Sequence, residues 1–241
     1  MKFAVVSDIH CEQHPDWTRL VFERLGARRD LEFVAFLGDI CTSPGDSWEK
    51  WFRPLRDLIP VPLWACRGNH DDPARWRDWF GNSEFVLVNG EADCRFVFFD
   101  SNDWKHEDKK SKWLAAALAG EQKQKFLFTH LPPKIAHWNY GMEPNRTAVY
   151  TNLCRQHGVT ASFTGHMHGF DVLKQEGTMF FICGGGGGDR HDDFPVMHRS
   201  NYYLLVECGD RFHVTLCQQH RDHEQLRPME EWINETRRPA F

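Results

Sequence analysis

Residues 163–168 are Phe-Thr-Gly-His-Met-His, and this stretch decides the fold because an apolar run beginning at Val159 stops here at a glycine followed by two histidines. Side chains alternate between faces along a strand, but the backbone can curl just past a strand end, so His166 and His168 can converge on one pocket. Neutral imidazoles that share a pocket are typical transition-metal ligands. Two surface histidines in a turn are the alternative, and this motif alone leaves both interpretations open.

Four other apolar runs end in residues of the same kind. Each run is short and apolar, as in a strand that is buried on both faces. Segments with helical apolar spacing, such as Asp16–Arg28, lie between the runs. The first half of the chain is therefore predicted to be α/β, with ligand-type side chains at its strand ends. In chain order these strand-end residues are Asp8-Ile9-His10, Gly38-Asp39, Gly68-Asn69-His70-Asp71 and His130.

The second half has a different pattern, because short alternating strands with tight turns follow residue 168 and predict antiparallel sheet. Five consecutive glycines, Gly184–Gly188, interrupt these strands. They are either a flexible connection or backbone that passes close to a ligand. One domain is predicted over residues 1–218, and the polar residues 219–241 are predicted to form a surface arm or helix. The predicted strands are Phe170–Lys174, Thr178–Cys183, Tyr202–Cys208 and Phe212–Cys217.

The composition is that of a globular protein with a substantial core. The 241 residues are 41% hydrophobic and 14% aromatic, and the formal net charge is −5. This mildly acidic balance, without long Lys/Arg runs, argues against a protein that wraps nucleic acid. The eight cysteines stand singly and are predicted to be buried thiols. Neither a signal peptide nor a membrane span fits the first apolar run, so a reducing cytoplasm is expected.

Together the five blocks resemble the signature of the calcineurin-like metallophosphoesterases, which is Asp-x-His, Gly-Asp, Gly-Asn-His-Asp/Glu, a lone His after a strand, and Gly-His-x-His. The resemblance covers roughly residues 3–190. It implies a four-layer α/β/β/α sandwich of two facing mixed β-sheets, in which the β-hairpins of the second half complete the second sheet. The active site is then expected across the strand ends, as in open α/β sheets.

The resemblance also implies two metal ions and assigns their ligands. Two such ions clamp a phosphate and lower the pKa of a bridging water, which can then attack phosphorus at neutral pH. Nitrogen and oxygen ligands without thiolates favour manganese, iron, zinc or cobalt, divalent or trivalent, over copper(I). By resemblance, Asp8, His10 and His168 hold one ion, Asn69, His130 and His166 hold the other, and Asp39 bridges them.

Four further residues are candidates for contact with the substrate. In the family His70 lies beside the metals, where it contacts the phosphate and can protonate the departing oxygen, although it could instead fill a loop. Asp71 could orient that imidazole or hold a turn. Arg67 and Arg190 could grip substrate oxygens, because an arginine fork suits phosphate, or could be ordinary surface residues.

Two departures from the motifs of particular subfamilies exclude those subfamilies. Gly38-Asp39 continues as Ile-Cys-Thr-Ser-Pro and not into the Asp-Arg-Gly of the protein serine/threonine phosphatases, and His70 stands where the lipid-A-pathway pyrophosphatases carry arginine. What remains is most similar to the bacterial class III cyclic-nucleotide and phosphodiester hydrolases, including residues 99–102, Phe-Asp-Ser-Asn. The expected activity is hydrolysis of a small phosphodiester or phosphomonoester, with the diester preferred.

Two other functions are compatible with the fold. A non-catalytic protein-binding module would be expected to lose metal ligands or the motif histidine, and these positions are intact. A DNA nuclease would need an added DNA-binding region and a basic face, for which this acidic chain has little room. The expected partner is therefore a small phosphoester, without nucleic acid or membrane.

Overall fold

Two mixed sheets run through the part of the chain that the computed structural model describes, which is residues 1–43, 45, 47–102, 104, 107–190 and 200–229. The first sheet has the strand order β12-β11-β10-β1-β2-β3 and the second the order β4-β5-β6-β7-β9-β8. The strands are β1 (Lys2–Val6), β2 (Phe33–Phe36), β3 (Leu63–Ala65), β4 (Phe85–Asn89), β5 (Cys94–Phe98), β6 (Gln124–Thr129), β7 (Ala161–Thr164), β8 (Phe170–Gln175), β9 (Thr178–Cys183), β10 (Tyr202–Cys208), β11 (Phe212–Gln219) and β12 (Glu224–Pro228). The helices are α1 (Pro15–Ala27), α2 (Trp48–Trp51), α3 (Arg53–Arg56), α4 (Pro73–Phe80), α5 (Glu107–Leu118) and α6 (Pro144–Gln156).

Three apolar clusters separate the layers. Between the sheets, phenylalanines from both sides interlock, as where the Phe3 ring stacks on Phe33 at 4.9 Å and meets Phe126 edge-on at 5.5 Å. Helices α1 to α4 cover the outer face of the first sheet, and helices α5 and α6 cover that of the second. This arrangement confirms the predicted four-layer α/β/β/α sandwich. No helix in the described ranges is both long and apolar enough to cross a membrane.

The prediction that the hairpins of the second half complete the second sheet is wrong for one of them. Strands β8 and β9 do join the second sheet, with β9 parallel to β7. Strand β10 instead pairs antiparallel with β1 in the first sheet, in the register Phe3↔Val206. The reason is burial: Leu204 packs into the cluster between the sheets and Leu205 into the outer cluster, so β10 needs an interior position with apolar layers on both sides.

The expected surface arm or helix over residues 219–241 is also corrected in part. Residues 224–228 form β12, an edge strand that pairs with β11 in the register Cys217↔Leu226. Arg28, the residue directly after α1, forms an ion pair of 2.5 Å with Glu224, which ties the strand to the body of the protein. Residues 230–241 lie outside the described part. All eight cysteines lie inside it and are buried thiols, as predicted.

Candidate metal centre

The candidate ligands lie on the loops that follow β1, β2, β3, β6 and β7. Hydrogen bonds join these loops across the two sheets. The backbone N–H of His166 donates to both carboxylate oxygens of Asp8 at 3.0 Å, and the N–H of Asp8 donates to the carbonyl of Gly38 at 3.0 Å. The sequence motifs, far apart along the chain, are thus brought to one place.

The backbone of this region is held in an uncommon conformation. Asp8, His10, Asp39 and His166 have positive φ angles of 54°, 33°, 58° and 69°. The left-handed region costs non-glycine residues on the order of 1–3 kcal/mol each, and such residues concentrate at functional sites. Four of the predicted ligands are therefore turned toward the centre at the expense of backbone strain.

The first cluster consists of Asp8, His10, Asp39 and His168. One donor atom from each lies within 4.8 Å of the others. Nε2 of His168 is 3.4 Å from Oδ1 of Asp8, and Nε2 of His10 is 3.7 Å from Oδ2 of Asp39. The side chain of His168 is 11% exposed, and the other three side chains are at most 2% exposed.

The second cluster consists of Asp39, Asn69, His130 and His166. Donor atoms of Asp39, His130 and His166 lie within 4.8 Å of one another. Oδ1 of Asn69 is 2.8 Å from Nε2 of His130 and 2.8 Å from Nδ1 of His166. Oδ2 of Asp39 is 3.3 Å from Nε2 of His130, so this carboxylate belongs to both clusters.

Outer hydrogen bonds orient the imidazoles. Nδ1 of His130 is 2.7 Å from the carbonyl oxygen of Leu37, and because a carbonyl can only accept, Nδ1 carries a proton and Nε2 is the ring nitrogen that faces the second cluster. In the same way Nδ1 of His168 donates to the backbone carbonyl of Asp189. Such outer contacts fix the ring orientation that a metal ligand needs.

An unpartnered buried nitrogen supports a cation at this centre. Nε2 of His10 is buried and has no hydrogen-bond partner among the described residues, although Nδ1 of the same ring is 3.2 Å from Oγ1 of Thr42. A buried polar atom without a partner is costly and calls for an explanation. A metal ion in the first cluster would accept this lone pair, so the donor set fits metal binding.

The glycine run is a close backbone approach to this cluster. The N–H of Gly188 donates to the carbonyl of Asp8 at 2.9 Å. A Cβ on Gly188 would lie 2.6 Å from Cδ2 of His10 and 3.2 Å from Cε1 of His168. Residues 184–188 are buried, so the run packs against the ligands and is not an exposed linker.

Burial and charge set the protonation of the ligands. Burial alone would raise the pKa of Asp8, but its hydrogen bond to His168 and the nearby histidine charges hold that pKa well below its usual range. Burial lowers the pKa of His10, and burial together with the charge of His130 lowers that of His166 to about 4. Burial opposes protonation of His130 too, yet Asp39 raises its pKa to about 9. Ionised carboxylates and neutral imidazoles are the forms that bind cations, so Asp8, His10 and His166 are in the binding form near neutral pH, whereas His130 must release a proton when an ion binds.

His70 lies at the edge of both clusters. The backbone N–H of His70 donates to Oδ1 of Asp39 at 2.9 Å, and its ring Nδ1 is 2.6 Å from the carbonyl oxygen of Thr42. Its ring centroid is 5.2 Å from that of His10. Since Nδ1 donates to a carbonyl, Nε2 is the ring nitrogen that can exchange a proton with a molecule bound at the centre.

Asp71 does not orient this imidazole in the structure. Its carboxylate is buried and accepts three backbone N–H groups, those of Asp39 at 2.8 Å, Ile40 at 2.9 Å and Gly68 at 2.8 Å. Burial and the charge of Asp39 raise its pKa to about 6. Asp71 therefore holds the β2 and β3 loops together, which is the turn role left open from the sequence.

The two arginines line different cavities. Arg67 pairs with Asp100, at 3.0 Å from Nε to Oδ2, and lines a cleft of about 670 Å³ that begins at Asn69. Arg190 is exposed and lines a smaller cavity of about 290 Å³ beside Gly188. Both are near the clusters, but the charge of Arg67 is already paired.

Sequence reasoning missed Thr42 and Asp100. Thr42 contacts His10 through its hydroxyl and His70 through its carbonyl, and Asp100 fixes Arg67. Thr42 follows Gly38-Asp39 at short spacing, and residues 99–102 were noticed only for their resemblance to a subfamily. Their position directly after strand-end motifs is the signal that could have identified both.

Comparison with known proteins supports this geometry. The family model described as calcineurin-like phosphoesterase matches residues 1–170. A probable glycerophosphodiester phosphodiesterase GpdQ of Arcobacter nitrofigilis is 27% identical over 154 residues, which are 57% of this chain and 56% of that protein. The match thus spans about half the length of this relative.

Two solved structures share the fold. Purple acid phosphatase PPD1 from yellow lupin (Lupinus luteus) has a TM-score of 0.76 at 14% identity, over 95% of this chain and 52% of that one. A dimetal phosphatase from Danio rerio has a TM-score of 0.65 at 14% identity, over 94% of this chain and 98% of that one. At these identities the likeness concerns the fold alone.

Proposed function

The chain belongs to the calcineurin-like phosphoesterase family, and we propose that it is a hydrolase of small phosphoesters that works with two metal ions and prefers phosphodiesters. The observation that carries the proposal is the position of Asp39. Its Oδ2 lies 3.7 Å from Nε2 of His10 in the first cluster and 3.3 Å from Nε2 of His130 in the second. One carboxylate between two donor sets is the arrangement that a pair of bridged ions requires.

Under this proposal each cluster holds one ion. When bound, the two ions would supply a hydroxide nucleophile at neutral pH and positive charge for the phosphate oxygens. The nitrogen and oxygen donors suit manganese, iron, zinc or cobalt. Asp8, His10 and His168 would hold the first ion, Asn69, His130 and His166 the second, and Asp39 both.

His70 is the proposed general acid. The Thr42 carbonyl fixes Nδ1–H of His70, and the backbone N–H of the same residue donates to Asp39, so the ring is positioned at the shared carboxylate. A proton held at Nε2 can pass to the oxygen of the departing alcohol, which an alkyl leaving group needs. Asp71 supports this geometry indirectly, because it anchors the backbone on both sides of Asp39.

The preference for diesters rests on the charge near the second cluster. Arg67 lines the cleft beside Asn69, but its guanidinium is paired with Asp100 and also donates to the carbonyl of Asp71 at 3.2 Å. A monoester dianion carries one more negative charge than a diester and benefits more from unpaired cations. The name of the Arcobacter nitrofigilis relative, a phosphodiesterase, points in the same direction. Arg190 remains a second candidate for contact with substrate.

The same proposal includes the cellular setting. Eight buried thiols suit a reducing cytoplasm. A non-catalytic binding module of this fold would have no need of a strained, ligand-rich centre, and all seven ligand positions keep metal-binding side chains.

Hydrolysis of bis-p-nitrophenyl phosphate tests the proposal. We expect the purified chain to lose activity after treatment with a chelator and to recover it on addition of Mn²⁺, because the nucleophile depends on bound metal. Elemental analysis before and after gives the number of ions. Undiminished hydrolysis by metal-free protein, or no hydrolysis with any of manganese, iron, zinc and cobalt, would overturn the proposed function.

A further inference from the structure

Two cysteines and a glutamate meet beside the first cluster. Sγ of Cys11 is 3.4 Å from Sγ of Cys41, and each residue is 1% exposed. Donor atoms of Cys11, Glu12 and Cys41 lie within 4.8 Å of one another. Cys11 and Glu12 directly follow His10, and Cys41 follows Asp39 by two positions, so the group joins the two loops that carry those ligands.

The three side chains are held in place by the backbone around them. The N–H of Cys11 donates to the carbonyl of Ile40 at 2.9 Å, which pairs the two loops. Oε1 of Glu12 accepts the N–H of Thr42 at 2.8 Å, which fixes the carboxylate beside the sulfurs. The donors are therefore arranged before any ligand binds, and the ordering cost of binding is small.

The burial of the second carboxylate oxygen of Glu12 needs an explanation. Oε2 of Glu12 is buried and has no hydrogen-bond partner among the described residues. A buried carboxylate oxygen without a donor is costly, and an ion is one of the recognised explanations for such an atom. A cation placed between this oxygen and the two sulfurs would compensate the charge.

We propose that Cys11, Glu12 and Cys41 form a third metal site, which takes a thiophilic divalent cation such as zinc. Thiolates select thiophilic cations, and the two clusters offer nitrogen and oxygen donors without sulfur. With Zn–S bonds of about 2.3 Å, tetrahedral geometry puts two sulfurs about 3.8 Å apart. The observed 3.4 Å needs only a small shift. Each thiol releases its proton to solvent on binding, and a fourth position is left for water.

An ion at this site would cross-link residues 10–12 to residues 39–42. Because a ligand that binds the folded chain and not the unfolded one raises stability, the ion would stabilise the two loops. Its role would be structural, since the sulfurs are turned away from solvent. This inference does not depend on the proposed function, because it concerns different donors.

Cadmium titration of the 241-residue chain tests the site. The protein is kept in a phosphine reductant with manganese in the two clusters, and absorption by thiolate-to-cadmium charge transfer is followed in the ultraviolet. The two clusters contain no sulfur ligand, so the band reports on the thiol site. We expect it to saturate at one Cd²⁺ per chain and to be absent in Cys41→Ser. Cys154→Ser, at a cysteine equally buried at 1% exposure on α6, is the matched control and should keep the band.

Two measurements decide the outcome even if Cys41→Ser fails to fold. Glu12→Gln keeps both sulfurs and an acceptor for the Thr42 N–H, and we expect its cadmium affinity to fall by at least about 10-fold, the lower range for groups around a metal. Counting thiols in the denatured, metal-free chain should give all eight. Unchanged affinity in Glu12→Gln, a band retained in Cys41→Ser, or the loss of two thiols to a Cys11–Cys41 disulfide would overturn the proposal.

Discussion

The first and second clusters differ in charge and enclosure. The first combines Asp8 with the shared Asp39, whereas the second combines Asp39 with the neutral amide of Asn69. Asp8 is fully buried, while Asn69 is exposed at the end of the cleft. Because ligand charge and site rigidity raise the affinity for a cation, the first cluster is expected to bind its ion more tightly. Under the proposed function we therefore expect the first cluster to retain its ion and the second to face substrate.

Replacement of Asp39 should remove this difference altogether, because Asp39 is the residue that the clusters share. In Asp39→Ala we expect hydrolysis to fall to the level of the protein-free blank and at least one ion to be lost, as measured by elemental analysis. Asp39→Asn keeps an acceptor for the His70 N–H and separates the loss of charge from the loss of this contact. Asp30→Ala, an exposed carboxylate paired with Lys2, is the control. Retention of two ions in Asp39→Ala would exclude a bridging role.

Replacement of His70 should leave the ions of both clusters in place while it slows the reaction. His70 belongs to neither cluster, so His70→Ala should keep both ions and lose on the order of 10²–10⁴ in kcat on an alkyl phosphodiester, the usual contribution of a general acid. A p-nitrophenyl ester scarcely needs protonation of its leaving group, so the loss in kcat on that ester should be smaller. Equal losses on the two esters would assign His70 to phosphate binding instead.

Replacement of Asn69 should increase the difference in ion affinity between the two clusters, because it alters the second cluster alone. We expect Asn69→Ala to weaken the second ion by at least about 10-fold, comparable with the loss of groups around a metal, and to leave the first ion in place. Competition with a chelator, followed ion by ion, measures both affinities. Asn102→Ala is the matched control, since this amide lies in the same cleft but contacts the carbonyl of Arg67. An equal loss of both ions would show that the clusters are not independent.

The sequence predicts which polar side chains the fold brings together, because each one lies within a few residues of the end of a buried strand. An apolar run specifies a strand, and the end of that strand specifies where the next side chains lie, so Asp8 and His130 could be placed from local pattern alone. Local pattern therefore accounts for the layers, for most elements and for the composition of the two clusters.

Contacts between distant loops could not be predicted in this way. Asp71 accepts N–H groups of Asp39 and Ile40, which lie more than thirty residues earlier, and nothing in its own motif distinguishes this role from orientation of His70. The sheet that β10 joins depends on which strand edge is available, whereas the apolar pattern records only that both faces are buried. The approach of Cys11 to Cys41 has the same origin, since it follows from the pairing of the β1 and β2 loops.

The smallest expected effect concerns the form of the substrate, which we propose enters the second cluster from the cleft that Arg67 and Asn69 line. Arg67 is the cation that follows β3 just before Asn69, and Asp100 occupies its Nε at 3.0 Å while Ser83 also donates to Asp100 at 3.0 Å. The extra charge of a monoester dianion therefore gains little there. We expect kcat/KM for bis-p-nitrophenyl phosphate to be at least equal to that for p-nitrophenyl phosphate, in one buffer with one metal.

Asp100→Asn weakens the ion pair with Arg67 and should shift the ratio of the two kcat/KM values toward the monoester, by up to about 10-fold for each 1.36 kcal/mol of added interaction. Asp30→Asn, which neutralises an exposed carboxylate paired with Lys2, serves as the control for a general change in charge. A monoester preference of about 100-fold in the unmodified chain, or about 2.7 kcal/mol in transition-state stabilisation, would mean that the metal ions and Arg190 supply enough positive charge for a phosphatase.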